Sequence, residues 1–233
     1  MVRKIYWEDA YIREFDSRIE SVEGNKAYLE ATAFHPRGGG LVGDSGTLNG
    51  FRVEDTLKEG ESKIAHVLEP EHSLKAGETV HGVVDWDRRY KIMRMHTTAH
   101  ALSAVFNRQA GALITGNQIK PDESRIDFSL ENLDRELMNS YVEMVNDAVS
   151  RNLPVKTYFL PRAEAVKIPD VVKLAGAAPP DIDTFRIVEI EGLDIQADGG
   201  VHVKNLGEVK KVLPLKFENK GKSNRRLYFT LEG

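Results

Sequence analysis

The chain is 233 residues long, 41% hydrophobic and 29% charged, and contains no cysteine. Those values belong to an ordinary globular protein of one large or two modest domains; they exclude a disordered chain, a thiolate metal site and a thiol nucleophile. The formal charge of −4 does not mark a nucleic-acid binder, and no apolar run approaches the roughly 20 residues that a membrane helix needs.

The first residues, Met1-Val-Arg-Lys-Ile-Tyr-Trp-Glu, lack the apolar centre of a secretory signal, so a cytoplasmic protein is expected. From Ile5 to Val84, short alternating runs such as Lys26-Ala-Tyr-Leu-Glu-Ala-Thr-Ala-Phe and Thr79-Val-His-Gly-Val-Val stand between glycine clusters. Strands joined by turns follow, closing into a small β-barrel or folded-over sheet. Within this region, Phe34-His-Pro-Arg-Gly-Gly-Gly-Leu-Val-Gly-Asp-Ser-Gly holds five of the 19 glycines. That content suits a tight turn or a close approach of backbone to a ligand; lacking the Lys-Ser/Thr ending of a P-loop, it indicates no nucleotide triphosphate.

At Asp87 the period changes. Met95, Thr98, Ala99, Leu102 and Phe106 fall at helical spacing, with Asp87 able to cap the start and Gly111 to end the segment. A second helical stripe, Leu133, Leu137, Tyr141, Met144 and Ala148, follows Asn132 as its cap and stops before Pro154. Strand-like runs return at Val155-Lys-Thr-Tyr-Phe-Leu, Phe185-Arg-Ile-Val-Glu-Ile and Arg226-Leu-Tyr-Phe-Thr-Leu. The expected fold is α+β: a glycine-rich β-barrel domain over residues 1–86, then a domain over residues 87–233 with two helices against a mostly antiparallel sheet.

His96 and His100 lie four apart on the first predicted helix and project from one face, at the edge of its packed stripe, where two imidazoles can chelate one cation. Asp198-Gly-Gly-Val-His202 brackets a diglycine turn with a carboxylate and an imidazole. Taken alone, each pair is more often structural. Together they offer three nitrogens and one oxygen, a set suited to four-coordinate Zn²⁺. Beyond them, six Lys and two Arg against two Glu give residues 204–226 a net +6, leaving −10 elsewhere. Such a stretch either steers a polyanion or protects a solvated strand edge.

Four segments occur in fixed order across nearly the whole chain: Phe34-His-Pro-Arg-Gly-Gly-Gly…Asp44-Ser-Gly, Val84-Asp-Trp-Asp-Arg-Arg…Met93-Arg-Met-His-Thr-Thr-Ala-His, Arg125-Ile-Asp-Phe-Ser, and Asp198-Gly-Gly-Val-His-Val with Glu208. This set resembles the editing domain of alanyl-tRNA synthetases and the free-standing AlaX proteins, which hydrolyse misacylated alanine tRNA in trans. The resemblance implies a zinc held by His96, His100 and His202, with Asp198 where the family commonly has cysteine, a harder ligand than a thiolate. Leu41 likewise replaces a frequent glutamine and Val201 a threonine.

Further implications concern the substrate. Thr97 occupies the position that the resemblance links to the serine hydroxyl; the residues alone read as a helical threonine bonded back to its own backbone. Gly38, Gly39 and Gly40 are implied to approach the substrate. The implied activity is hydrolysis of seryl-tRNA(Ala), and of glycyl-tRNA(Ala), with tRNA contacted by Lys204, Lys210, Lys211, Arg225 and Arg226 and the surface extended by Arg88, Arg89, Lys91 and Arg94. Two alternatives stand beside it: a noncatalytic tRNA-binding module that retains the fold, and an editor of a different aminoacyl ester.

Overall fold

The computed structural model describes residues 2–60, 62–169, 171–173, 175 and 182–233. The chain divides into two compact units, Met1–Ile92 and Met93–Gly233. Among the described residues no helix is long and apolar enough to cross a membrane.

In the first unit β1 (Arg3–Lys4) and α1 (Ile5–Glu8) precede β2 (Glu14–Glu23), β3 (Lys26–Leu29), β4 (Ala31–Thr32), β5 (Gly46–Leu48), β6 (Phe51–Glu59), β7 (Lys63–Leu68) and β8 (Thr79–Val84). Six of these strands pair antiparallel in the closed ring β2-β3-β7-β6-β5-β8. Alternation along β2 shows why the ring has an inside: Phe15, Ser17 and Ile19 are buried while Glu14, Asp16, Arg18 and Glu20 face out. The interior is filled by Phe15, Ile19, Leu29, Phe34, Leu48, Val53, Leu68 and Val80. Closure also pairs both long edges of β2, leaving no open strand there.

The glycine-rich segment reverses the chain at Gly38–Leu41, where the Gly38 and Leu41 N–H groups each donate to the other's carbonyl. Gly39 and Gly40 carry φ of 59° and 90°, the left-handed values such a turn requires. Leu41, in the position that resemblance gives to glutamine, is buried apolar packing.

Helix α2 (Trp86–Ala110) begins in the first unit and continues into the second. Its cap is Asp85 rather than Asp87, because Asp85 Oδ1 accepts from the Arg88 N–H at 3.2 Å. Asp87 falls one position inside the first turn and is exposed. Gly111, at φ 62°, closes the helix with its N–H on Asn107 O at 2.7 Å. From residue 93 to residue 106 every position is buried, so this stretch has no solvent face and the histidine pair lies inside the unit rather than at an exposed edge.

The second unit continues with β9 (Ile114–Gln118), β10 (Ser124–Ser129), α3 (Arg135–Ser150), β11 (Val155–Pro161), α4 (Arg162–Ala165), β12 (Thr184–Ile190), β13 (Asp194–Ala197), a 3-10 turn (Leu206–Val209), β14 (Val212–Asn219) and β15 (Asn224–Leu231). Among the described residues its strands form two antiparallel sheets, β14-β15-β10-β9 and β11-β12-β13, where one was expected. Neighbours in the chain pair locally: the apolar run from Phe185 folds back near Gly192, at φ 71°, into the β12–β13 hairpin.

Helix α3 is capped by Asp134, which accepts from the Leu137 N–H, and not by Asn132. It buries Met138, Tyr141, Val142, Val145, Ala148 and Val149. Leu137 and Met144, expected inside, are 47% and 41% exposed. Two apolar stripes compete on this helix, and the one carrying three valines makes the broader buried face.

Candidate metal centre

His96 and His100 reach a common point from one side of α2, and the loop after β13 supplies Asp198 and His202 from the other. One ligand atom from each of these four residues lies within 4.8 Å of all the others. The Nε2 atoms of His96 and His100 stand 3.7 and 3.9 Å from Asp198 Oδ2, and that of His202 stands 3.2 Å from Oδ1. Ligands 2.0–2.1 Å from a tetrahedral zinc are separated by about 3.3 Å, so the set, spread over as much as 4.8 Å, must draw inward to close on an ion.

Each imidazole is aimed by what its other nitrogen touches. Nδ1 of His96 donates to the Val201 carbonyl at 3.3 Å, and Nδ1 of His100 donates to Asp194 Oδ2 at 3.1 Å. For His202 the partner is Thr97 Oγ1, at 3.1 Å; that hydroxyl gives its proton to Met93 O at 3.0 Å and also accepts from the Val203 N–H at 3.3 Å. All three Nδ1 protons are thereby committed, and three Nε2 lone pairs face a carboxylate. Electron-rich atoms so arranged repel one another unless a proton or a metal cation stands among them. The residues present therefore fit a divalent ion by donor type, orientation and spacing.

The electrostatics agree. Burial alone would push the Asp198 carboxyl up, but the rings of His96, His100 and His202 hold it well below its ordinary range. Burial likewise opposes a charge on His100, yet Asp194 and Asp198 outweigh it and lift this imidazole to about 9. His202 is driven down to about 4, first by burial and then by the nearby charges of His100 and Arg186. The Asp198 side chain is the open side of the site, 24% exposed against 8% or less for the three rings.

The turn that carries Asp198 is held rigidly. Asp198 Oδ1 accepts from the Gly200 N–H at 2.6 Å, and Arg186 Nη1 donates to the carbonyls of Asp198 and Gly200, each at 3.0 Å. A side chain at Gly200 would meet the His96 ring at 2.5 Å, so glycine is what lets the loop pass.

Other predicted residues are placed differently. Thr97 is fully buried, and its oxygen is saturated by Met93, His202 and Val203. With its proton given to Met93 O and both lone pairs taken, this hydroxyl steadies the His202 ring. Gly38, Gly39 and Gly40 form the exposed turn of the first unit.

Among the basic residues, Lys204, Lys210 and Lys211 are exposed, although Lys210 Nζ contacts Gly233 O. Arg225 is buried and consumed by the carbonyls of Gly221, Lys222, Asn224 and Glu131. Arg226 is bound to both oxygens of Asp127 at 2.6 and 2.7 Å. Arg94 is given to Val209 O and Glu232 O, and fully buried Arg89 pairs with Asp44. Arg89, Arg94 and Arg225 serve the fold because a buried guanidinium must spend its donors on nearby acceptors.

Asp194, Gln196, Lys173 and Arg186 were not singled out from the sequence. One signal was available: Asp194, Gln196 and Asp198 alternate with apolar or small residues, so their side chains share one face of a strand. Lys173 carried no such signal.

Residues 185–228, which contain Arg186, Asp194 and the Asp198–His202 turn, match the family described as the threonyl and alanyl tRNA synthetase second additional domain. The chain is 46% identical to the alanyl-tRNA editing protein AlaX-M of Saccharolobus solfataricus, over all of both chains. It is 43% identical to AlaX-M of Methanosarcina acetivorans, over 99% of each. Against the alanine–tRNA ligase of Ignicoccus hospitalis it is 35% identical across 89% of its own length, which is 23% of that larger protein. With end-to-end identity at this level, the chain belongs to the AlaX-M family of alanyl-tRNA editing proteins.

Proposed function

We propose that this protein is a trans-editing aminoacyl-tRNA hydrolase, a zinc-dependent deacylase that removes serine from mischarged tRNA(Ala) and accepts the glycyl ester as well, acting in the cytoplasm. The observation that carries the reading is the convergence of three oriented imidazoles and Asp198 in a chain whose relatives are named for alanyl-tRNA editing. His96, His100, His202 and Asp198 would hold the ion. Zinc, when bound, supplies Lewis acidity toward a water or an ester carbonyl.

The chain's own contribution is orientation. Val201, Asp194 and Thr97 keep the three Nε2 atoms on one point, and Arg186 keeps the Asp198 turn in place. An aminoacyl ester is already activated, so a fixed water and a stabilised oxyanion suffice for hydrolysis. The exposed Gly38–Gly40 turn is a substrate contact of the first unit, its bare backbone open to close approach. Lys204, Lys210 and Lys211 contact tRNA phosphates, whereas Arg226 would do so only by giving up Asp127.

The test presents seryl-, glycyl- and alanyl-tRNA(Ala) to the purified protein. Serine release with alanine spared is expected, abolished in His100→Ala; equal turnover of all three defeats the specificity. Protein that takes up no metal yet binds tRNA is the noncatalytic module instead. Reversing charge at Lys210 and Lys211 weakens tRNA binding and flattens its salt dependence; unchanged affinity returns that stretch to a solvated edge.

A further inference from the structure

The carboxylate behind His100 has a cation of its own. The Asp194 side chain is fully buried; its Oδ2 accepts from His100 Nδ1 at 3.1 Å and from Gln196 Nε2 at 2.7 Å. The other oxygen, Oδ1, accepts from Lys173 Nζ at 2.6 Å, and that ammonium also donates to Ile195 O at 3.4 Å. The Lys173 side chain is only 8% exposed. Its backbone is fixed as well: Lys173 O accepts from the Ile114 N–H, and two residues earlier Val171 O accepts from the Ala197 N–H.

Burying an ammonium beside a carboxylate adds little net stability over an apolar pair of the same size, because the desolvation of both charges offsets their attraction. What the pair secures is orientation. Bound through Oδ2 alone, Asp194 would be free to turn about its Cβ–Cγ bond. Asp194 lines a cavity of about 460 Å³ together with Asn107 and Arg108, whose side chains donate to Ala112 O and Leu193 O. Lys173 lines the same cavity and anchors Oδ1.

We propose that Lys173 is a positioning residue of the metal centre: by anchoring Oδ1 of Asp194 it keeps Oδ2 on His100 Nδ1 and so aims Nε2 of His100 at the cation. This inference rests on the metal-centre reading above. Loss of partners behind a metal-bound histidine typically weakens metal affinity by about ten- to a hundredfold.

The experiment uses the full chain, stripped of metal with a chelator and titrated with Zn²⁺ against a chromophoric competitor, and separately loaded with Co²⁺ for its visible absorption. Lys173→Met is expected to bind zinc about ten- to a hundredfold more weakly, with an altered Co²⁺ spectrum. Lys173→Arg, which returns a cation to Asp194, restores both. Asp194→Asn reproduces the loss, and the double variant Lys173→Met/Asp194→Asn is no weaker than Asp194→Asn alone. Wild-type affinity and spectrum in Lys173→Met overturn the proposal, as do additive losses in the double variant. Should Lys173→Met fail to fold, Lys173→Arg and Asp194→Asn decide: wild-type affinity in Asp194→Asn overturns it. A wild-type chain that binds neither metal sinks the metal centre itself, a separate and recognisable failure.

Discussion

Thr97→Val isolates what the buried hydroxyl does. Valine keeps the outline of threonine, so little cavity opens, and Met93 O retains its helical N–H partner. Two buried donors lose their acceptor: the Val203 N–H and His202 Nδ1–H. At about 1–2 kcal/mol for each unsatisfied group, the substitution costs about 2–4 kcal/mol. His202 escapes part of this by moving its proton to Nε2, the atom that faces Asp198, and the escape spoils it as a ligand. Zinc affinity then falls by about ten- to a hundredfold. The assay is a competition titration for zinc, followed by hydrolysis of seryl- and alanyl-tRNA(Ala) at saturating metal. Weaker binding with an unchanged serine-over-alanine ratio is expected. Unchanged zinc affinity with collapsed discrimination would refute the reasoning and make Thr97 the reader of the substrate hydroxyl.

Gly200→Ala places a methyl 2.5 Å from His96 Cε1 and 3.1 Å from Asp198 Oδ1, so metal affinity should drop more than about tenfold while the unit stays folded; unaltered affinity in the same titration would show that the loop yields freely. Asp44→Asn strips the partner from fully buried Arg89 and should destabilise the first unit by about 3–5 kcal/mol. Urea unfolding followed by tryptophan fluorescence reads this unit alone, since both tryptophans, Trp7 and Trp86, belong to it. His66 is pushed by burial down to about 4 from an ordinary 6.5, with Nδ1 donating to Ala27 O and Thr32 bound at Nε2. The fold favours the neutral ring, so its contribution is whole above pH 6.5 and is lost as pH falls toward 4, about 3 kcal/mol in all. The urea midpoint should fall across that window and His66→Gln should flatten the slope; a level wild-type profile would remove His66 from the account.

Several features were legible along the chain because they depend on near neighbours. Histidines four apart on a helix must share a face, and Gly39 and Gly40 supply left-handed values in a turn few other residues would make. Alternation in β2 announced which side chains point inward. Where two local solutions competed, the chain could not choose. Asp85 and Asp87 are both able caps, and α3 carries two overlapping apolar stripes.

Partnership was decided by tertiary structure alone. Thr97, Arg89, Arg94 and Arg225 read as surface or substrate groups, yet packing encloses each and assigns its hydrogen bonds inward. His100, Lys173 and Asp194 come from three separate segments and meet only when the β12–β13 hairpin and α2 are in place. Spacing along a chain determines which side chains share a face; burial and charge pairing depend on what that face is pressed against, and sequence separation carries no information about that.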